Sequence, residues 1–253
     1  MDTVIVIPAR YASTRLPGKP LLKETGKYLI QHVYERAVRV RGVHKVLVAT
    51  DDPRIATAVE SFGGQAVLTR TDHPSGTDRI AEVASHLKTD VIINLQGDEP
   101  QIEPRDVELL IGLMETYTDC PMATLAAPLR SNEDYYNPHV VKVVWDGQGR
   151  ALYFSRAPIP YHRDGSPDWQ QPSSFYLQHL GIYAYRRHFL LQWAATPPHP
   201  LEQIERLEQL RALAMGASIR LGIVSQAHKG IDTPADYTEF VRAYRTEQGR
   251  QAA

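Results

Sequence analysis

Arg10, Arg15 and Lys19 fall within ten residues, interleaved with Ser13, Thr14 and Gly18, in the run Ile7-Pro8-Ala9-Arg10-Tyr11-Ala12-Ser13-Thr14-Arg15-Leu16-Pro17-Gly18-Lys19-Pro20-Leu21. Three cations, two hydroxyls and a glycine on one loop suit a polyphosphate. Fixed charge neutralises it while backbone N–H groups approach closely. The run is not a Walker loop: Ser13 stands where its first glycine belongs, and Pro20 follows Lys19. Read by residue type alone, it is equally a solvated basic connection. A second set of candidates is Gln96-Gly97-Asp98-Glu99, where a hard carboxylate beside a glycine offers a Mg²⁺ ligand. Asp232, before Thr233-Pro234, offers another. By type alone, Asp98 is also a turn acid, and Asp232 also fits the electrostatics of a helix start.

The elements that must position these residues are legible in the hydrophobic periodicity. Thr3 to Ile7, Lys45 to Ala49, Ala66 to Leu68 and Val91 to Leu95 read as strands. Between and after them, Leu29 to Val40, Pro53 to Phe62, Thr77 to Leu87 and Pro104 to about Tyr117 read as helices. This alternation predicts a largely parallel sheet covered by helices, with ligands beyond the carboxyl ends of the strands. The first loop and Asp98 both follow such ends.

After Met122 the strands crowd together: Ala123 to Ala127, Val140 to Trp145, Ala151 to Ser155 and Leu177 to Tyr185, with a hairpin turn at Gly147-Gln148-Gly149. They predict an antiparallel extension over about residues 123–190. Pro158 to Pro172 reads as a loop or lid. Leu201 to Ala214 reads as one helix with Leu201, Ile204, Leu207 and Leu210 on its apolar side, and Thr233 as the cap of a last helix to about Tyr244. No repeat or linker divides the chain, so a single domain over residues 1–253 is expected.

Composition narrows the class. A net charge of −1 provides no global field for nucleic acid. The single cysteine, Cys120, excludes an intramolecular disulfide and fits a reducing compartment. The apolar run Val4 to Ile7 is too short for a membrane span or a signal segment. A cytoplasmic protein without membrane insertion is expected.

The same opening run resembles that of the 3-deoxy-manno-octulosonate cytidylyltransferases (CMP-Kdo synthetases). Further strings of that family recur in order: Ala49-Thr50-Asp51, Thr69 through Arg79, Asn94 through Pro100, Val141 through Val144, Ala151 through Arg156, His179 through Tyr183, Leu207 through Arg211, and Ile231 through Pro234. The resemblance implies a Rossmann-like nucleotide-diphospho-sugar transferase fold with a mixed, mainly parallel sheet flanked by helices and a small antiparallel extension. It also implies a homodimer built through that extension.

The implied activity is transfer of CMP from CTP to 3-deoxy-D-manno-octulosonate (Kdo), with Mg²⁺ as cofactor, for lipopolysaccharide synthesis. Arg10, Ser13, Arg15, Lys19, Gly76 and Asp98 would hold the nucleotide, with Lys19, Arg15 and Asp98 catalytic. Asp98 and Asp232 would bind metal. Arg70, Arg79, Gln96, Arg156, His179, Tyr183, Glu208 and Gln209 would hold the sugar. Arginine suits a carboxylate receptor, and strand alternation puts His179 and Tyr183 on one face. Arg187, His188, Arg206 and Arg211 read as solvated residues. The alternatives are a cytidylyltransferase for the 8-amino relative of Kdo or another acidic sugar, a glycosyltransferase, and a non-catalytic nucleotide sensor.

Overall fold

The computed structural model describes residues 1–12, 16–170 and 175–251. The chain divides into two compact units, residues 2–105 with 228–253, and residues 106–227 with Met1. The first unit begins with β1 (Thr3–Ala9), followed by α1 (Leu29–Ala37), β2 (Lys45–Thr50), α2 (Pro53–Ser61), β3 (Ala66–Leu68), α3 (Gly76–Ser85) and β4 (Val91–Asn94). The strands lie in the order β3-β2-β1-β4, and every ladder is parallel. Val4 to Ile7 are buried without alternation, as a strand covered on both faces must be. Leu29, Ile30 and Val33 of α1, Ile55 and Val59 of α2, and Ile80 and Ala84 of α3 complete the core. The expected strand–helix alternation is present throughout this unit.

Among the buried polar side chains of this unit is one imidazole. His32 is only 7% exposed; its Nε2 lies 2.7 Å from Thr25 Oγ1, and its ring meets Phe240 and Tyr244 edge-on. Burial lowers its pKa to about 4, against the opposing pull of Glu35.

The second unit carries α4 (Pro104–Thr116), β5 (Met122–Pro128), α5 (Asn132–Tyr136), β6 (Lys142–Trp145), β7 (Ala151–Ser155), β8 (Leu177–Arg186), α6 (Arg187–Ala195), α7 (Pro200–Glu205), α8 (Gln209–Ala214) and β9 (Ile219–Ile223). β8 pairs antiparallel with β5 and β6, and β6 with β7, as the crowded strands predict. β9 was not expected; it pairs parallel with β5. Residues 158–170 hold neither helix nor strand. The α9 helix (Pro234–Gln251) belongs to the first unit. Its Tyr237, Phe240 and Val241 pack with Leu16, Leu29 and Ile231. Among the described residues no helix is long and apolar enough to cross a membrane.

Two features of the second unit are not visible in the sequence reading. The helix expected over Leu201 to Ala214 is broken: Arg206 caps α7 in the left-handed region (φ 55°), and α8 starts at Gln209. Leu207 and Leu210 are buried at 5% and 1%, whereas Leu201 and Ile204 remain 40% and 78% exposed. Lys142 is fully buried, and Nζ donates to the carbonyls of Asn137 (2.8 Å), Val140 (2.6 Å) and Arg156 (2.7 Å). Burial, followed by the Arg156 charge, lowers its pKa.

Candidate active site

The first unit gathers charge at the carboxyl ends of β1 and β4. The loop after β1 closes when Gly18 N donates to Tyr11 O at 3.1 Å. Gly18 has φ +67°, and a side chain there would meet the Tyr11 ring at 3.2–3.3 Å. Glycine is therefore required twice, for backbone and for space. The Tyr11 ring also carries the Arg54 guanidinium, 3.5 Å from its centroid. Asp52 caps α2 through Arg54 N and grips the guanidinium at 2.9 and 2.6 Å. This stack braces the loop immediately before Lys19, the first residue of a short 3-10 turn.

Lys19 Nζ lies 2.7 Å from Asp98 Oδ2 and 3.5 Å from Asp232 Oδ1, and donates to Ile231 O at 2.7 Å. Asp98 arrives from β4 by way of Gly97, where any Cβ would stand 2.8 Å from Pro8 O. Only glycine lets the ends of β1 and β4 meet so closely. Asp98 O accepts from Ile231 N at 2.9 Å, which brings Asp232 to the same ammonium. The start of α9 is capped by Thr233 and Asp236, so the Asp232 carboxylate is not itself the cap. Side-chain exposures of 14%, 30% and 46% for Lys19, Asp98 and Asp232 leave the cluster open to water.

Asp98 and Asp232 offer hard oxygen donors within reach of one ammonium. That donor set fits Mg²⁺, which takes one or two carboxylates and completes its shell with water and phosphate oxygens. Glu99 is a neighbour that the sequence reading did not assign. Burial, followed by the charges of Asp98 and Asp232, raises its pKa to about 8 while Lys19 opposes the shift. Its adjacency to Asp98 was the available signal.

The remaining candidates of this unit have defined places. Gly76 begins α3 behind a Ser75 cap, and its Cα faces the Pro8 ring. Arg10 is exposed; Ser13 and Arg15 lie outside the described residues. Arg70 has a side chain 68% exposed, with Nε 3.3 Å from Asp72. Arg79 is only 4% exposed and is committed to Asp51 (3.1 Å), Thr69 and Arg70 O. Gln96 donates to Asn94 Oδ1 at 2.8 Å.

The second unit gathers uncharged polar groups. Thr124 Oγ1 donates to Ile182 O at 2.7 Å, at an irregularity where the β5–β8 register shifts. With that proton committed, His179 Nε2, 3.0 Å away, is the donor to Oγ1. His179 packs on Phe154 and Tyr183. Burial lowers its pKa to about 3, so the ring is neutral at physiological pH. Tyr183 donates to Gln209 Oε1 at 3.3 Å, and burial followed by Glu208 raises its pKa. Gln209 is 3% exposed, and its Nε2 has no hydrogen-bond partner among the described residues. A buried donor left unpaired is costly, and a ligand oxygen would satisfy it. Glu208 sits at the start of α8.

Two arginines of this unit are more committed than their sequence context suggests. The Arg156 fork donates to Glu205 O (2.6 Å), Pro138 O (2.9 Å) and Arg206 O (3.4 Å). Arg211, expected to be solvated, is buried. It pairs with Glu202 at 2.5 and 2.7 Å and stacks on Trp193. Residue type alone could not reveal either set of partners: Arg156 follows β7 and Arg211 lies on α8, and each is held by groups outside its own element.

Residues 4–219 match the family model described as Cytidylyltransferase. A protein of Syntrophobacter fumaroxidans named 3-deoxy-manno-octulosonate cytidylyltransferase is 52% identical over 244 residues, covering 95% of this chain and 96% of that one. One of the same name from Escherichia coli is 51% identical over 245 residues, covering 97% and 96%. A solved structure of CMP:2-keto-3-deoxy-manno-octonic acid synthetase complexed with CTP matches with a TM-score of 0.92 at 50% identity, covering 98% of this chain and all of that one. The chain belongs to the cytidylyltransferases, a family of nucleotidyltransferases, and within them to the 3-deoxy-manno-octulosonate cytidylyltransferases.

Proposed function

We propose that the chain transfers CMP from CTP to 3-deoxy-D-manno-octulosonate, releasing diphosphate. The observation that carries the reading is the Lys19–Asp98–Asp232 cluster beyond β1 and β4. The names of the close relatives supply the substrates. Lys19, with Arg15, is assigned to the charge that develops on the leaving diphosphate. A fixed cation there stabilises the transition state more than the bound substrate. Mg²⁺ held by Asp98 and Asp232 would neutralise phosphate charge and lower the pKa of the attacking anomeric hydroxyl.

His179, Tyr183, Glu208 and Gln209 are assigned to the sugar. A neutral histidine and the unpaired Gln209 amide suit hydroxyl groups, which need donors and acceptors rather than charge. Arg70, the exposed arginine beside the Ser-Gly-Thr segment, is assigned to the sugar carboxylate. Transfer is read as a single in-line displacement, because positioning and charge stabilisation suffice for phosphoryl chemistry. A cytoplasmic homodimer that feeds lipopolysaccharide assembly completes the reading.

The test is diphosphate release with CTP and Kdo, with and without Mg²⁺. Release should require all three, and CTP carrying sulfur on the α-phosphorus should give a product of inverted configuration. CTP binding without release would make the chain a sensor; release with the 8-amino sugar alone would shift the substrate. Retention of configuration would remove the single displacement.

A further inference from the structure

The break between α7 and α8 runs against local preference in two ways. Arg206 holds φ 55° and ψ 48°, and it is the only non-glycine residue at positive φ among those described. An L side chain seldom adopts that backbone without surroundings that hold it there. Leu201 and Ile204, which one continuous helix would place on the same side as Leu207 and Leu210, stay exposed. A segment that gives up both backbone comfort and apolar burial is held by something else, and such conflicts gather at functional sites.

What holds it is a set of hydrogen bonds from the end of β7. Both oxygens of the Glu205 carboxylate are engaged: Oε1 accepts from Ser155 Oγ at 2.6 Å, and Oε2 accepts from Arg156 N at 2.9 Å. The Arg156 side chain closes the ring by donating to the carbonyls of Glu205 and Arg206, which α7 leaves without helical partners. Its remaining arm donates to Pro138 O. Three residues beyond Arg206 stands Gln209, with one amide atom on Tyr183 and the other unpaired in the interior.

We infer that Glu205, held by Ser155 and Arg156, is a positioning residue that locks the helix break and so fixes the buried Gln209 amide for a hydroxylated ligand. The inference rests on the proposed function for the identity of that ligand. Glu205 touches no substrate; it acts through the backbone of Arg206. Without the carboxylate, residues 206–209 are free to relax toward the continuous helix that their apolar pattern favours. That movement rotates Gln209 away from Tyr183.

The experiment compares the full-length enzyme with Glu205→Ala, Glu205→Gln, and Glu205→Ala combined with Arg206→Gly. The apparent KM for Kdo should rise by ~10-fold in Glu205→Ala, in keeping with the loss of one well-placed hydrogen bond. The KM for CTP should stay within about two-fold, since binding lost on the sugar side alone is uniform for the other substrate. Adding Arg206→Gly should recover much of the loss, because glycine takes the left-handed conformation unaided. Hydrogen exchange at the amides of residues 206–210 should quicken in Glu205→Ala and slow again in the double variant. An unchanged sugar KM, or a loss that Arg206→Gly does not repair in a variant of normal thermal midpoint, overturns the clamp. If Glu205→Ala does not fold, Glu205→Gln and Ser155→Ala decide the matter by the same readouts. If the unaltered chain does not turn over CTP and Kdo, the functional reading falls. Exchange and its reversal by glycine still judge the clamp.

Discussion

The cluster around Lys19 and the cluster around Gln209 differ in charge, in exposure and in how they are held. The first sets one ammonium between two carboxylates, all reachable by water. The second contains a neutral histidine, a tyrosine held protonated and a buried amide. A triphosphate brings multiple charges that must be exchanged for others, and exposed ion pairs rearrange at little cost. Sugar hydroxyls carry no charge, so selectivity must come from donors and acceptors whose directions are fixed. The difference teaches that an exposed, charged site and a buried, neutral one call for different means of support. The first is braced by Tyr11, Gly18 and Arg54 beside the charged residue; the second is braced from a distance through a strained backbone.

The largest effect that would sharpen this contrast is expected at Lys19. Lys19→Ala should lower kcat by roughly 10²–10³, the usual result of removing one donor aimed at developing charge. Lys19→Arg should not restore it fully, since the planar fork cannot reproduce a compact ammonium between two carboxylates. Near-normal turnover of Lys19→Ala would dissolve the charged side of the comparison.

A smaller effect is expected for the paired carboxylates. Asp98→Asn and Asp232→Asn should each weaken the apparent affinity for Mg²⁺ by ~10-fold or more, read from activity against metal concentration. Because both meet the same ammonium, the double variant should lose less than the two losses combined. Strictly additive small losses would assign them to turn and helix-start duties instead.

The smallest effect concerns acid stability, where the two regions should behave alike. His32 in the first unit and His179 in the second have folded-state pKa values depressed to about 4 and about 3. The unfolded chain therefore takes up protons first. Stability is complete above about pH 6.5 and falls as pH drops toward those folded values, by up to ~1.4 kcal/mol per unit for each histidine. His32→Gln or His179→Gln should flatten the urea midpoint between pH 7 and 5. An unchanged slope in both variants would show that neither ring is neutral and buried in solution.

The parallel half was readable because its signals are local. Unbroken apolar runs, Pro53 at a helix start and Thr233 as a cap each depend on a few neighbouring residues. Lys19, Asp98 and Asp232 were legible as types, yet their meeting at one ammonium depends on Ile231 N reaching Asp98 O across the chain. Legibility failed where a distant partner overrides a local pattern. Leu201 to Leu210 has the spacing of one helix, and nothing within it announces that Ser155 and Arg156 will break it. Arg79 and Arg156 have the chemistry of anion receptors, but Asp51 and main-chain carbonyls occupy them. The β9 strand, Ile219-Arg220-Leu221-Gly222-Ile223, shows the alternation of a strand, but the parallel pairing with β5 that fixes it lies far away in sequence.

Lys142 gives this protein a chemical clock. Its amine is wholly enclosed and each of its three hydrogens is directed at a carbonyl, so an acylating reagent cannot approach while the second unit is intact. Lysines on the surface react at once, and the label on Lys142 accumulates only as that unit opens. Mass spectrometry of a digest would therefore report the opening of a single half of the chain, without an introduced dye or tag, from a residue that the fold itself has sealed.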